Sequence, residues 1–132
     1  MENKAIFQFK SYQVVLSHLE VKNFSPETCQ QATVNFNTSH SDIENDGNDI
    51  YVKLDSSIKG PDDSFAIEVS VVGIFSFEEE CTTEEKKMLV EINAPAILFP
   101  YVRAHISALT SISGIPPIIL PTINFAQMNQ KK

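Results

Sequence analysis

Cysteine and glycine are both scarce in this sequence of 132 residues, which contains two cysteines and four glycines. Cys29 and Cys81 lie far apart, so they provide neither the spacing of a metal site nor the disulfide framework of a small secreted protein. Gly47 and Gly60 stand alone, so no glycine-rich loop is available to hold a phosphate group. We therefore expect reduced thiols and no cofactor.

Positive charge is in the minority, because 17 acidic residues stand against ten basic ones and leave a formal net charge of -7. An acidic surface repels phosphate backbones and anionic lipid headgroups. The first ten residues lack the basic start and apolar run of a signal peptide, and no apolar stretch approaches the roughly 20 residues of a membrane span. We expect neither nucleic-acid binding nor membrane insertion, and a cytoplasmic location.

No group of residues has the pattern of an active site. His105 follows Arg103 on a predicted helix, but no serine or cysteine stands in a nucleophile motif. His18 and His40 have no ligand partner at metal spacing. We predict that the chain is not an enzyme.

A single domain is expected over residues 1–132, because soluble domains cluster at roughly 100–150 residues. Hydrophobic residues make up 42% of the chain and charged residues 20%. Both values are close to those of globular proteins, so the chain should fold.

Alternation of apolar and polar residues dominates the first 77 residues and predicts β-strands. In the clearest strand, residues 65–77, Gly73 interrupts the pattern, and we expect a bend there from a bulge or a close backbone approach. Three other strands are predicted near residues 7–21, 33–37 and 50–58.

The predicted strand at residues 7–21 has apolar residues at both odd and even positions. Phe9 and Leu19 have one parity, whereas Tyr12 and Val14 have the other. Such a strand is apolar on both faces in part, which is unusual at the surface of a monomer. We therefore expect both of its faces to be buried in part.

Turn residues separate the four predicted strands. They are Ser-Pro at residues 25–26, Asn-Asp-Gly-Asn at 45–48 and Gly-Pro-Asp-Asp at 60–63. Because these connections are short, they favour an antiparallel sheet.

Helical patterns begin after an acidic run at residues 78–80. Thr82 or Thr83 can cap a short helix, and a longer helix restarts near residue 94 and ends before Gly114. Pro100 predicts a kink in the longer helix. Arg103 is the only formally charged residue between positions 93 and 130, so something must bury part of this segment.

Several ordered runs of residues match the pattern of a known family. They are GIFS at residues 73–76, NAPAILFPYVR at 93–103, ISAL at 106–109 and PPIILPTINF at 116–125. Together these runs resemble the SecB family, and the resemblance extends over nearly the whole chain. The runs are long and ordered, which makes the resemblance specific.

The resemblance implies an α+β fold with a four-stranded antiparallel sheet, a long C-terminal helix and short flanking helices. It also implies a homo-oligomer, a dimer of dimers with helices packed between the sheets. The helix at residues 94–113 is then an oligomer interface, for which we select Tyr101, Val102, His105, Ile106 and Leu109.

The function implied by the resemblance is that of a holdase chaperone in protein export, which binds unfolded or precursor polypeptides in apolar grooves and needs no cofactor. The candidate client-binding residues are Val34, Phe36, Phe75, Phe77, Ile115, Ile118, Ile119, Leu120 and Phe125. Family members also contact the SecA motor through acids on the outer face of the sheet, where Glu20 and Glu68 are the matching residues.

Two departures from the family pattern keep other interpretations open. Leu16 stands where the family often has a further acid, and the chain ends in lysines at residues 131–132 rather than in an acidic tail. One alternative is a SecB-like chaperone dedicated to the antitoxin of a toxin–antitoxin module. Another is a structural oligomer that is not a chaperone.

Overall fold

The computed structural model of the chain describes residues 7–44, 49–77 and 81–130. The turn predicted at residues 45–48, the acidic run at 78–80 and the lysines at 131–132 lie outside the described residues.

One antiparallel sheet of four strands, in the order β1-β4-β3-β2, forms one layer of the fold. The strands are β1 (Phe7–Val21), β2 (Thr33–His40), β3 (Ile50–Lys59) and β4 (Phe65–Phe77). A short helix α1 (Pro26–Gln30), capped by the Ser25 side chain, connects β1 to β2. The antiparallel sheet predicted from the sequence is confirmed.

The second layer is an almost continuous helical segment. It consists of α2 (Thr83–Met88), a π-helical turn (Leu89–Asn93) and α3 (Ala94–Ile112), and a short helix α4 (Phe125–Gln130) follows later. The Thr82 hydroxyl accepts a hydrogen bond from the Glu85 amide, as a capping residue should.

The predicted restart near residue 94 is a π-helical turn, in which the Ala94 amide donates to the Leu89 carbonyl. Pro95 follows directly and has no amide hydrogen to donate. The helix α3 continues through Pro100, which lies on its exposed side.

The core lies between one face of the sheet and α3. Ile50, Val52, Leu54 and Ile58 alternate along β3 and are buried. The odd-numbered apolar residues of β4 lie opposite them in register and face the same way, because side chains alternate across a strand. The helix covers this face with Leu98, Val102 and Ile106, all of which are fully buried.

Two bulges in β1 account for its mixed parity. The register with β4 shifts between Phe9 and Ser11 and again between Val14 and Leu16. Each shift inserts one extra residue, so apolar residues of both parities lie opposite core residues of β4. These residues are Phe7, Phe9, Tyr12, Val14, Leu19 and Val21. The mixed parity therefore comes mainly from the bulges, although Leu16 on the other face and Val15, the unpaired residue of the second bulge, are both exposed.

Gly73 pairs in register with both Tyr12 and Val52, so the bulge considered at this position is not found. The other expectation was a close backbone approach, and the structure instead brings two side chains close to this glycine. A β-carbon at residue 73 would lie 2.6 Å from Cδ2 of Leu98 and 2.7 Å from Cε2 of Phe75. Both side chains are fully buried.

We predict that Gly73→Ala destabilises the fold by about 1–3 kcal/mol, because an added methyl group overpacks a filled core. Chemical denaturation followed by circular dichroism measures the change. Ser76→Ala, on the outer face of the same strand, is the matched control and should change stability by less than about 0.5 kcal/mol. Equal stability of the two variants would contradict the close packing at Gly73.

Candidate functional site

An aromatic cluster joins β2, α3 and α4. The ring of Phe36 lies 5.8 Å from that of Phe99 and 6.4 Å from that of Phe125, and Phe99 and Phe125 are 6.0 Å apart. All three contacts are edge-to-face, a favourable geometry for aromatic pairs. Phe36 is partly exposed, whereas Phe99 and Phe125 are buried. The cluster therefore forms an apolar surface that is partly exposed at Phe36 on β2, and we call this surface the aromatic cleft.

The segment between α3 and α4, residues 114–124, lies against the helix that precedes it, and we call it the strap. Gly114 begins it with a positive φ of 86°, a conformation that glycine adopts without steric cost. The Ile118 amide donates to Oγ1 of Thr110 at 3.0 Å, and Oγ of Ser107 donates to the Ile118 carbonyl at 2.8 Å. Side chains of α3 thus hold Ile118 by both of its backbone polar groups.

The nine predicted client-binding residues differ widely in exposure. Phe75, Leu120 and Phe125 are buried in the core, while Phe36, Phe77, Ile115 and Ile118 are half-buried. Val34 and Ile119 are exposed, at 40% and 66%. The structure brings Phe36 and Phe125 together in the aromatic cluster. It places Phe75 and Phe77 elsewhere, beside Phe7 at the far end of β4.

A second aromatic group lies where β1 meets α3. The rings of Tyr12 and Tyr101 stack with centroids 4.0 Å apart, and Phe9 lies 5.9 Å from Tyr101. Nearby, Oγ of Ser17 and Nε2 of His105 are within hydrogen-bond distance at 2.8 Å. Sequence reasoning missed Tyr12 and Ser17, because the bulges of β1 conceal which of its residues face the helix.

The five residues predicted for the oligomer interface do not share one environment. Val102 and Ile106 have no exposed surface and pack inside the protomer. Tyr101, His105 and Leu109 are half-buried. The exposed side of α3 instead contains small residues at intervals of four, namely Ala96, Pro100, Ala104 and Ala108.

The outer face of the sheet carries both predicted acidic residues. Glu68 of β4 pairs with His18 of β1. Glu20, the next residue of β1 on the same face, pairs with Ala66. Asp55, which sequence reasoning missed, belongs to the same face because it pairs with Ser70 and accepts a hydrogen bond from its hydroxyl. Leu16 also pairs with Ser70, from the opposite side. The outer face thus has three carboxylates beside one exposed leucine.

One charge on this outer face is partly balanced by a weak ion pair, that of Lys53 with Asp55. Lys53 lies 3.6 Å from Asp55, and His18 lies 3.8 Å from Glu20. Exposed pairs of this kind contribute little to stability. Within the described residues, no group of histidine, cysteine or acidic side chains could hold a metal ion. Nor does any described helix have both the length and the apolar character required to span a membrane.

Sequence comparison relates the chain to one family over most of its length. The family described as "Preprotein translocase subunit SecB" matches residues 12–132. The "Protein-export protein SecB" of Magnetococcus marinus is 31% identical over 109 residues, which are 81% of this chain and 69% of the relative. An uncharacterized protein of Methanocaldococcus jannaschii is 35% identical over 133 residues, covering 95% of this chain and 83% of that protein.

The similarity to some relatives is more local. The "Protein-export protein SecB" of Anaplasma phagocytophilum is 44% identical over 71 residues, and the match spans 52% of this chain but 45% of that protein's length. Among solved structures, a SecB-like chaperone of Mycobacterium tuberculosis in complex with a ChAD peptide from the HigA1 antitoxin has a TM-score of 0.71 and 18% identity. That comparison covers 89% of this chain and 90% of the other, and it shows that the two share a fold.

We predict that Ile106→Asp unfolds the protomer, because an unpaired carboxylate in the core costs several kcal/mol. Ala104→Asp, two residues earlier on the exposed side of the same helix, is the control and should leave the fold intact. Far-ultraviolet circular dichroism and thermal denaturation compare the two variants. A folded Ile106→Asp protein would show that this residue does not belong to the protomer core.

Proposed function

Because the chain belongs to the SecB family, whose members are chaperones and not enzymes, we propose that it is a holdase that binds non-native polypeptides through apolar surface. The same membership agrees with the prediction that the chain is not an enzyme. Binding of this kind needs exposed apolar side chains and little recognition of sequence.

The partly open aromatic cleft beside β2 is the observation that supports this function best. Val34 and Phe36 lie on the helix-facing side of β2, since they pair with Ile58 and Ser56 of β3. Val34 is exposed, and Phe36 is only half-buried although it contacts two further aromatic rings. An extended client segment could cover this apolar surface, in the manner of other grooves that bind extended peptides.

Protein export is the cellular role that we propose for these clients, which would be unfolded precursors. The family description and the names of the relatives from Magnetococcus and Anaplasma support this role. In this proposal, Glu20, Glu68 and Asp55 on the outer face attract a basic region of the SecA motor. The chaperone would act in the cytoplasm as a homo-oligomer, a dimer of dimers.

A dedicated antitoxin client is the second candidate role. The SecB-like chaperone that shares this fold was solved with a peptide from an antitoxin. Leu16 favours the same alternative, because this exposed apolar residue stands beside Ser70 on the outer face, where the family often has an acid. A face with fewer acids attracts a basic motor less strongly.

In this proposal, the small residues on the exposed side of α3 form the oligomer interface together with Tyr101, His105 and Leu109. Small side chains let two helices approach closely, and the only formal charge on this helix is Arg103. Val102 and Ile106 would support the interface from inside the protomer, because they hold α3 against its own sheet.

We predict that the purified protein slows the aggregation of chemically denatured rhodanese at a stoichiometric ratio. The variant Val34→Asp should lose much of this activity, because it places a charge on the exposed apolar surface of β2 without changing the core. Ser39→Asp, on the outer face of β2, is the matched control and should keep the activity. A wild-type protein without effect on aggregation would contradict the holdase function and favour a structural oligomer.

Polypeptides captured from cells with the tagged protein should distinguish the two roles. We expect many exported precursors, identified by mass spectrometry of the bound fraction. A single antitoxin in that fraction would instead establish the dedicated role. Neither result is expected of a structural oligomer, which would recover only its own chain.

A further inference from the structure

The aromatic cleft beside β2 is already occupied by the chain's own C-terminal segment. Phe125 contacts the rings of Phe36 and Phe99, and Leu120 is as fully buried as Phe125. Both residues follow the end of α3 and reach the core only because the strap runs back along that helix. The apolar surface that a client would need is therefore covered in part by residues 114–125.

The strap has the chemical character of a client segment. Residues 114–124 contain no charged side chain. The structure assigns them no helix or strand, and the aromatic residue Phe125 follows directly. Extended segments that bind in grooves likewise place apolar side chains in pockets of the partner. The strap thus presents to the cleft the same groups that a client would present.

Few hydrogen bonds hold the strap in place. Among the described residues, two backbone-to-backbone bonds join it to α3, both at its first two residues. The Gly114 amide donates to the Ser111 carbonyl and the Ile115 amide to the Thr110 carbonyl, each at 3.3 Å. Three of its residues, Pro116, Pro117 and Pro121, have no amide hydrogen to donate. A segment with so few backbone bonds opens more easily than the strands of a sheet.

Two hydroxyl groups of α3 supply the main polar attachment. Oγ of Ser107 and Oγ1 of Thr110 bond the carbonyl and the amide of Ile118, respectively. Thr110 is fully buried, and its hydroxyl also donates to the Ile106 carbonyl at 2.8 Å. The position of these groups on the helix therefore fixes the strap at one point between Gly114 and Phe125.

On the basis of the chaperone function proposed above, we propose that the strap is an internal competitor for the client cleft. It occupies the apolar surface between β2 and α3, and a client binds there after the strap has left. The ligand class is an extended, uncharged segment with an aromatic side chain that takes the place of Phe125. The bonds of Ser107 and Thr110 to Ile118 set how often the cleft is open.

The test uses the full chain and a fluorescein-labelled peptide with the sequence of residues 114–126. We expect the double variant Ser107→Ala, Thr110→Val to bind this peptide more tightly than the wild type in fluorescence anisotropy. The gain should be about fivefold for each lost hydrogen bond, or about 25-fold together, because apparent affinity follows the open fraction. Unchanged or weaker binding by a folded double variant would overturn the proposal.

Two controls separate the strap from other causes. Ser113→Ala removes a hydroxyl that bonds only the Leu109 carbonyl within the helix end, so it should bind the peptide like the wild type. A peptide with Phe125→Ala should bind at least tenfold more weakly, because the aromatic ring is a large apolar contact. Equal binding of both peptides would show that the aromatic cleft is not the site.

Hydrogen exchange of the wild-type protein gives a second test that needs no variant. The Ile118 amide should exchange faster than the Leu54 and Val71 amides of the sheet, and excess peptide should accelerate it further by displacing the strap. No acceleration by the peptide would contradict competition. If the wild type slows rhodanese aggregation but shows none of these effects, the chaperone function stands and the strap proposal is wrong. If the wild type fails in the aggregation assay, the proposed chaperone function itself is wrong.

Discussion

The packing of α3 on the sheet is the contact on which the rest of the structure depends. Leu98, Val102 and Ile106 are fully buried on the helix side, and β3 and β4 oppose them with apolar residues in register. Each such side chain contributes roughly 1.5–3 kcal/mol when it is removed from water. Gly73 allows this contact to be close, because a side chain there would collide with Leu98. A sheet with one apolar face needs such a cover to be stable.

One helix cannot cover the whole sheet, and this limit explains where the two aromatic groups lie. A helix is about 10 Å wide, whereas four strands at a spacing of about 4.8 Å place their outer axes about 14 Å apart. The two edge strands therefore need other partners. Tyr101 reaches Tyr12 at the β1 edge, and Phe125 reaches Phe36 at the β2 edge. Both aromatic groups fill the margins of a sheet that is wider than its helix.

In the strap proposal, the contacts at the β2 edge open more readily than those at the β1 edge. Tyr101 belongs to α3 itself, so its contact with Tyr12 is fixed by the same helix that covers the core. Phe125 instead follows a strap that is joined to the rest of the protomer mainly through the side chains of Ser107 and Thr110. Apolar surface held by so few bonds can be exposed without unfolding the sheet, which is what a polypeptide-binding protein requires.

The sequence by itself determined the α+β fold and the family. Period-two alternation located four strands, and Thr82 and Gly114 marked helix ends correctly, because capping and turn chemistry act within a few residues. The ordered runs from residue 73 to residue 125 indicated the SecB family over nearly the whole chain.

Tertiary structure decided which apolar residues face the core. Two bulges in β1 brought residues of both parities to one face, and a bulge depends on pairing with another strand. Helical spacing grouped Val102 and Ile106 with Tyr101, but it could not tell a protomer core from an oligomer interface, since both require apolar residues. For the same reason the sequence selected Leu120 and Phe125 as client-binding residues without indicating that the folded chain buries both of them.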